Sequence, residues 1–188
     1  GMASVTGMCL GGVITFEMCK YLPFLKKDGY VPPINRRVTP ASWKKERPDR
    51  FFILRMFADF SEPVFAGTEW AGALLIVGSL FSWGLNPSHI AYGTGYFPAI
   101  LLSQVLGNAV ALFLYWDGWM ENDFCATFVP IVSVSPAMVL TYGASMFVIL
   151  VGAVLGGVLC TPMAHFVNRH IPAHWHAMVG FTFSMALC

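Results

Sequence analysis

The chain alternates long apolar runs with short polar interruptions, and each run predicts an element. Residues 3–25 are apolar and long enough for a transmembrane helix, which needs about 20 residues. Gly7 and Gly11 form a small-xxx-small pair that permits close helix contact in lipid. Over residues 26–50 the run gives way to Pro32, Pro33, Pro40 and Pro48, a proline density that denies a long helix and predicts a loop. Residues 51–66 mix Phe51, Phe52, Phe57 and Phe60 with Arg55 and Asp59, which fall i,i+4 on one helix face and can pair. That mixture predicts an amphipathic helix lying at a bilayer interface.

From residue 67 onward about four to five apolar segments follow. The first, 70–85, stops at Asn86-Pro87, because a proline disfavours helix at the residue before it. Tyr96 to Trp116 is the cleanest span, flanked by the aromatic belt expected at both membrane interfaces. The run 124–140 is broken by Pro130 and Pro136, with Ser133 and Ser135 around the gap. Non-helical backbone at membrane depth survives only inside protein or along a wet cavity, so a broken or re-entrant segment is expected. A glycine-rich span over 141–161 comes next, ended by Pro162. His174 to Cys188 opens a further apolar segment with no polar exit, which predicts a longer parent chain.

Composition sharpens the class. Hydrophobic residues make up 56% and charged residues 11%, against about 25% charged in a soluble domain. So little charge cannot cover a water-facing surface. Five cysteines, an odd and sparse count, argue against a secreted disulfide scaffold, and 15% aromatic residues argue against disorder. The expected fold is all-α, a polytopic helical membrane protein with broken or re-entrant segments. Of eleven Lys and Arg, nine fall between residues 26 and 55. Short basic loops stay on the cytoplasmic side, so loop 26–55 is expected there. No aromatic-interleaved basic patch points to nucleic acid.

Candidate chemistry is sparse. Glu17 is the carboxylate within an apolar span; such groups face protein or water, or Glu17 snorkels as a pair with Lys20. Gln104 and Asn108, i,i+4 within the best span, serve either interhelical hydrogen bonds or a solute-facing surface. Asn86 and the Ser133–Ser135 pair sit at interrupted segments, and paired interruptions are the sequence pointer to a transport site. His165, His170, His174 and His176 cluster near one helix end. No acidic residue lies near to complete a zinc site, and Pro172 spoils the His170/His174 helical pair, so these histidines are expected at an interface or in gating. Phosphate-binding glycine loops, nucleophile elbows and C-x-x-C pairs are missing, so neither a cofactor nor an enzyme is expected.

The run Ala126 to Pro130, then Ser135-Pro136, Tyr142-Gly143, the glycine-rich helix to Thr161-Pro162, His165, and the His174/His176–Gly180–Phe181 stretch resembles a family of polytopic bacterial membrane proteins, domain of unknown function 1576. The resemblance covers roughly Gly72 onward, with loose motifs, and not the basic loop or the segment 51–66. It implies one half of a two-repeat fold in a bacterial inner membrane. A more distant similarity to urea-transporter-like channels implies passage of small solutes.

Together these readings give a small-solute transporter or channel subunit, oligomeric or within a membrane complex, passing a neutral or weakly polar solute. Asn86, Gln104, Asn108, Ser133, Ser135 and Glu17 would lie along its path. The alternatives are a structural or assembly subunit without transport, and an intramembrane histidine-based metalloenzyme.

Overall fold

The computed structural model describes residues 48–61, 68–90, 95–116, 126–172 and 177–188, with a few scattered positions before residue 22. The expected first span (1–25) and basic loop (26–50) therefore lie mostly outside the described residues. Among those described, helix dominates and no strand occurs, so the chain is all-α.

Helix α1 (Pro48–Phe60) begins on a proline, which suits the first turn because no helical partner awaits its missing N–H. It starts inside the expected loop and closes at Ser61, whose hydroxyl donates to the Ala58 carbonyl at 3.0 Å and to the Thr68 carbonyl at 2.9 Å. Helix α2 (Glu69–Leu85) is capped by Thr68, whose Oγ1 accepts from the Ala71 N–H at 2.8 Å, with Glu69 favourably placed in the first turn. It ends before Asn86-Pro87, as the sequence requires. Helix α3 (Phe97–Leu114) starts one residue inside the expected span, with Pro98 in its first turn.

The broken segment is real as local structure. Helix α4 (Val129–Val132) stops at Ser133, whose φ −127° and ψ −111° lie outside the helical region. Helix α5 (Val134–Tyr142) resumes at an angle set by that residue and ends at Gly143. Gly143 takes φ +89°, a left-handed value that glycine alone adopts cheaply. Helix α6 (Met146–Leu155) is capped by the Ser145 hydroxyl.

Pro162 does not end this span, contrary to the sequence expectation. The helix runs on through a π turn (Gly156–Cys160) into α7 (Thr161–His170), 25 residues without interruption from Met146. Proline 162 has no N–H to offer the Val158 carbonyl one turn back. The Tyr115 hydroxyl donates to that carbonyl at 2.7 Å instead. With a long-range donor in place and the π turn loosening the winding, the proline becomes tolerable. Helix α7 stops at Ile171-Pro172, and α8 (Ala177–Leu187) packs back on it.

Helix α3 is the hub: α1, α4, α5, α6 and the π turn all pack on it. Its contact face carries Ser103, Gly107, Asn108 and Ala111, all buried. Ser135 of α5 wedges between the helices there, its hydroxyl facing both Gly107 and Gly156. It donates to the Gly152 carbonyl at 3.2 Å, and the Ser103 hydroxyl donates to the Ser135 carbonyl at 2.9 Å. A Cβ on Gly107 would strike the Ser135 hydroxyl. Gly107→Ala is therefore expected to cost about 1–3 kcal/mol through overpacking. Deleting the obstructing oxygen should remove most of that penalty. In a Ser135→Ala background, which itself loses about 1 kcal/mol with its hydrogen bond, the glycine substitution should add little. Unfolding midpoints of the four proteins check it. Equal Gly107→Ala penalties in both backgrounds would contradict the wedge.

The larger core lies beside this seam, built from Phe60, Ala126, Phe128, Val129, Ile131, Cys160, Ala164 and Phe181. Phe128 meets Phe181 edge to face at 5.4 Å between centroids, tying the entry of α4 to α8.

Candidate functional site

A carboxylate is the hardest group to bury, and Asp59 is completely buried near the end of α1. The expected i,i+4 pair forms: Arg55 Nε lies 3.1 Å from Asp59 Oδ1. The other oxygen, Oδ2, accepts from Asn108 Nδ2 at 2.7 Å and from Thr127 Oγ1 at 2.6 Å. Asn108 Nδ2 donates a second bond, to the Thr127 carbonyl at 2.9 Å. Arg55 reaches Thr127 Oγ1 at 3.5 Å. One carboxylate thus draws together α1, the hub helix α3 and the turn that leads into α4.

This changes the reading of α1. A helix lying on an interface would turn its polar groups outward, whereas here Ala58, Asp59 and Phe60 are buried in the protein. Burial pushes the Asp59 carboxyl above the usual carboxylate range, outweighing the opposing pull of Arg55 and of the Thr127 and Asn108 hydrogen bonds.

Asn108 sits at the centre, with no exposure at all. Both of its amide hydrogens are committed, since both donate to acceptors. Its carbonyl oxygen Oδ1 is buried and accepts no hydrogen bond among the described residues. Four residues earlier, half-buried Gln104 donates from Nε2 to the Ile131 carbonyl at 2.8 Å, beside the break in α4–α5. Ser133, at the break, donates to the Val129 carbonyl at 2.6 Å and contacts Cys160 Sγ at 3.1 Å. Two amides of α3 and the Ser133 hydroxyl therefore lie along one interrupted helix.

Of the positions singled out in the sequence, Gln104 and Asn108 bond to the segment around α4, Ser133 sits at the break, and Ser135 packs in the seam between α3 and α6. Asn86 is exposed at the C-terminal cap of α2, and Glu17 is half-buried. Both amides of the Gln104/Asn108 pair make interhelical hydrogen bonds, one of the two roles expected for them. His165 accepts from the Ala126 N–H at 3.4 Å, at the edge of the polar cluster. His170 is exposed, its Nδ1 2.7 Å from the Phe166 carbonyl, and its ring rests on Phe166. His174 and His176 lie outside the described residues. No group of three or more metal-ligating side chains occurs among the described residues.

Sequence reasoning missed Asp59 and Thr127 as site residues. The signal for Asp59 was its i,i+4 relation to Arg55 inside an aromatic-rich helix. Thr127 carried no signal of its own.

Comparisons with protein-family models, with curated proteins and with solved structures find no match for this chain. The resemblance of residues 124–188 to domain of unknown function 1576 gains no support from them.

Proposed function

We propose that this chain is the helical core of a membrane transporter or channel subunit that passes a small, neutral or weakly polar solute. The observation that carries the reading is Asn108. Its carbonyl oxygen is fully buried without a donor among the described residues, beside an interrupted helix along which the Gln104 amide and the Ser133 hydroxyl also lie. Backbone breaks at membrane depth are where transporters place their sites. A free acceptor beside hydroxyls and amides suits a solute with an N–H or O–H to donate.

Membrane residence supports the same reading. Two helices, Phe97–Leu114 and Met146–His170, are long and apolar enough to cross a bilayer, and less than half of the most apolar 18 residues of each is buried in the protein. Large side chains on the outside include Trp70, Phe81, Phe113 and Phe147, each about 70% exposed or more. A soluble protein rarely exposes so many large apolar side chains. The basic segment that precedes α1 would then lie in the cytoplasm, with the chain in a bacterial inner membrane.

Swelling of proteoliposomes in urea, acetamide and glycerol tests the proposal. Parent protein should accelerate entry of at least one solute over empty vesicles. Asn108→Leu should slow it about tenfold, the equivalent of about 1.4 kcal/mol from one lost buried hydrogen bond. Folded yield, read by gel filtration, separates this from misfolding. Parental flux in Asn108→Leu would remove Asn108 from the path.

A second reading has its own observation. Ser103, Ser135 and Thr127 are fully buried, and each hydrogen-bonds within the chain. A structural or assembly subunit needs only such internal bonding. Absence of flux for every solute, with stable association to another membrane protein, would favour it.

A further inference from the structure

The long helix from Met146 to His170 turns one face outward. Leu155, Leu159, Met163 and Phe166 are exposed on it, while Gly156, Cys160, Ala164 and Val167 beside them are buried. Steps of four residues drift by about 40° per turn around a regular α-helix. The wider π turn at Gly156–Cys160 takes up that drift and keeps the exposed row in line past Pro162. The row ends on Arg169 and His170, both exposed in the last turn of α7. Beyond Arg55, Arg169 is the sole Lys or Arg in the sequence, and no Asp or Glu follows Asp123. Among the described residues Arg169 pairs with no carboxylate. His170 next to it is held in place, its Nδ1 2.7 Å from the Phe166 carbonyl and its ring 4.4 Å from that of Phe166. Nε2 is therefore the ring nitrogen left for a ligand.

An apolar row that stops at an unpaired guanidinium matches the two ends of one molecule, an acyl chain and a phosphate. From that complementarity we infer that this face of α6–α7 docks one anionic phospholipid. Its acyl chain lies along Leu155, Leu159, Met163 and Phe166, and its phosphate sits on Arg169. The planar guanidinium offers the phosphate two parallel N–H donors, and His170 adds a third from Nε2 when it carries a proton. A zwitterionic lipid fits the row equally well but brings a cationic group to a cationic helix end, so the headgroup charge decides. The inference rests on the membrane residence argued above and not on transport.

The test places the purified full chain in phosphatidylcholine vesicles with a trace of photoactivatable lipid. The lipid carries a diazirine on one acyl chain and is either phosphatidylglycerol or phosphatidylcholine. Labelled peptides are mapped by mass spectrometry. In the parent, phosphatidylglycerol should label the Leu155–Phe166 row about fivefold more than phosphatidylcholine, the effect of one cation at an anionic headgroup. Arg169→Ala should bring that ratio to about one. Labelling by phosphatidylcholine should not change in this variant, because Arg169 is exposed and supports no core. Arg169→Lys should keep part of the preference. Lys26→Ala removes the same charge from the basic segment and should leave the ratio as it is. Equal labelling by the two lipids in the parent, or a preference that survives Arg169→Ala, would overturn the inference. So would loss of the preference in millimolar inorganic phosphate, which would make the site one for a free anion. Labelling of the row by neither lipid would instead remove this face from the bilayer, and the membrane reading with it.

Discussion

Asp59→Leu should destabilise the protein by about 3–5 kcal/mol, the range for breaking a buried ion pair from one side. The size follows from what is left behind. Arg55 keeps its charge in a position where its side chain is only 12% exposed. Asn108 and Thr127 each lose the acceptor on which they converge. Every orphaned donor costs its own desolvation, and an orphaned cation costs most.

Removing both ends of the pair should behave differently. The Asp59 carboxyl is pushed up by burial despite Arg55, so desolvation already outweighs the attraction between them. A pair in that condition contributes little net stability, and replacing it with apolar groups of similar volume is often neutral or better. Arg55→Met combined with Asp59→Leu should therefore recover most of the loss, to within about 1–2 kcal/mol of the parent, the remainder being the donors of Asn108 and Thr127. The sign of the pH dependence follows the same balance. A carboxyl raised on folding binds its proton more tightly in the native state, so its contribution is greatest below the unfolded value and is lost as pH rises through the raised one. Compared with Asp59→Asn, the parent should gain stability as the pH is lowered toward the unfolded carboxylate value. Chemical or thermal unfolding in one detergent, across the four proteins and several pH values, checks both statements. A double variant as unstable as Asp59→Leu alone would show that the pair itself holds α1 in place.

How much of this was legible in the sequence depends on how far apart the partners lie. Helix α3 was readable because its signals are local: an apolar run, aromatic flanks and Pro98 at the start. The end of α2 at Asn86-Pro87 was readable for the same reason. The Arg55–Asp59 pair needs only helical spacing, and it was read correctly. Its destination was not, because Asn108 and Thr127 are 49 and 68 positions away and the chain has to fold before they meet. Pro162 shows the same limit from the other side. The local rule ends a helix there, and it fails because Tyr115, 43 positions before Val158, supplies the missing donor. For residues 51–66 the sequence reading takes charge as a mark of exposure, whereas the Asp59 carboxylate of α1 meets its donors inside; residues 62–66 lie outside the described residues.

The second large effect is expected at Gly72→Ala, at about 3 kcal/mol, the upper part of the usual overpacking range. Two glycines of α2 make a controlled comparison. A Cβ on Gly78 meets nothing within 4 Å, whereas one on Gly72 would run into the Phe57 carbonyl of α1. That obstacle is backbone, so no rotamer change relieves it, and α1 must move away from α2. Gly78→Ala should instead be neutral or gain up to about 1 kcal/mol, the difference in helix propensity. The consequence reaches the polar cluster, because Phe57 is followed two residues later by Asp59 on the same helix. Shifting α1 outward draws the carboxylate from Asn108 and Thr127, so part of the Gly72→Ala penalty is the loss of those bonds. Combined with Asp59→Leu, which has already forfeited them, the glycine substitution should cost clearly less than it does alone, by about 1 kcal/mol or more. Strict additivity of the two substitutions would mean that α1 yields at Phe57 without disturbing Asp59.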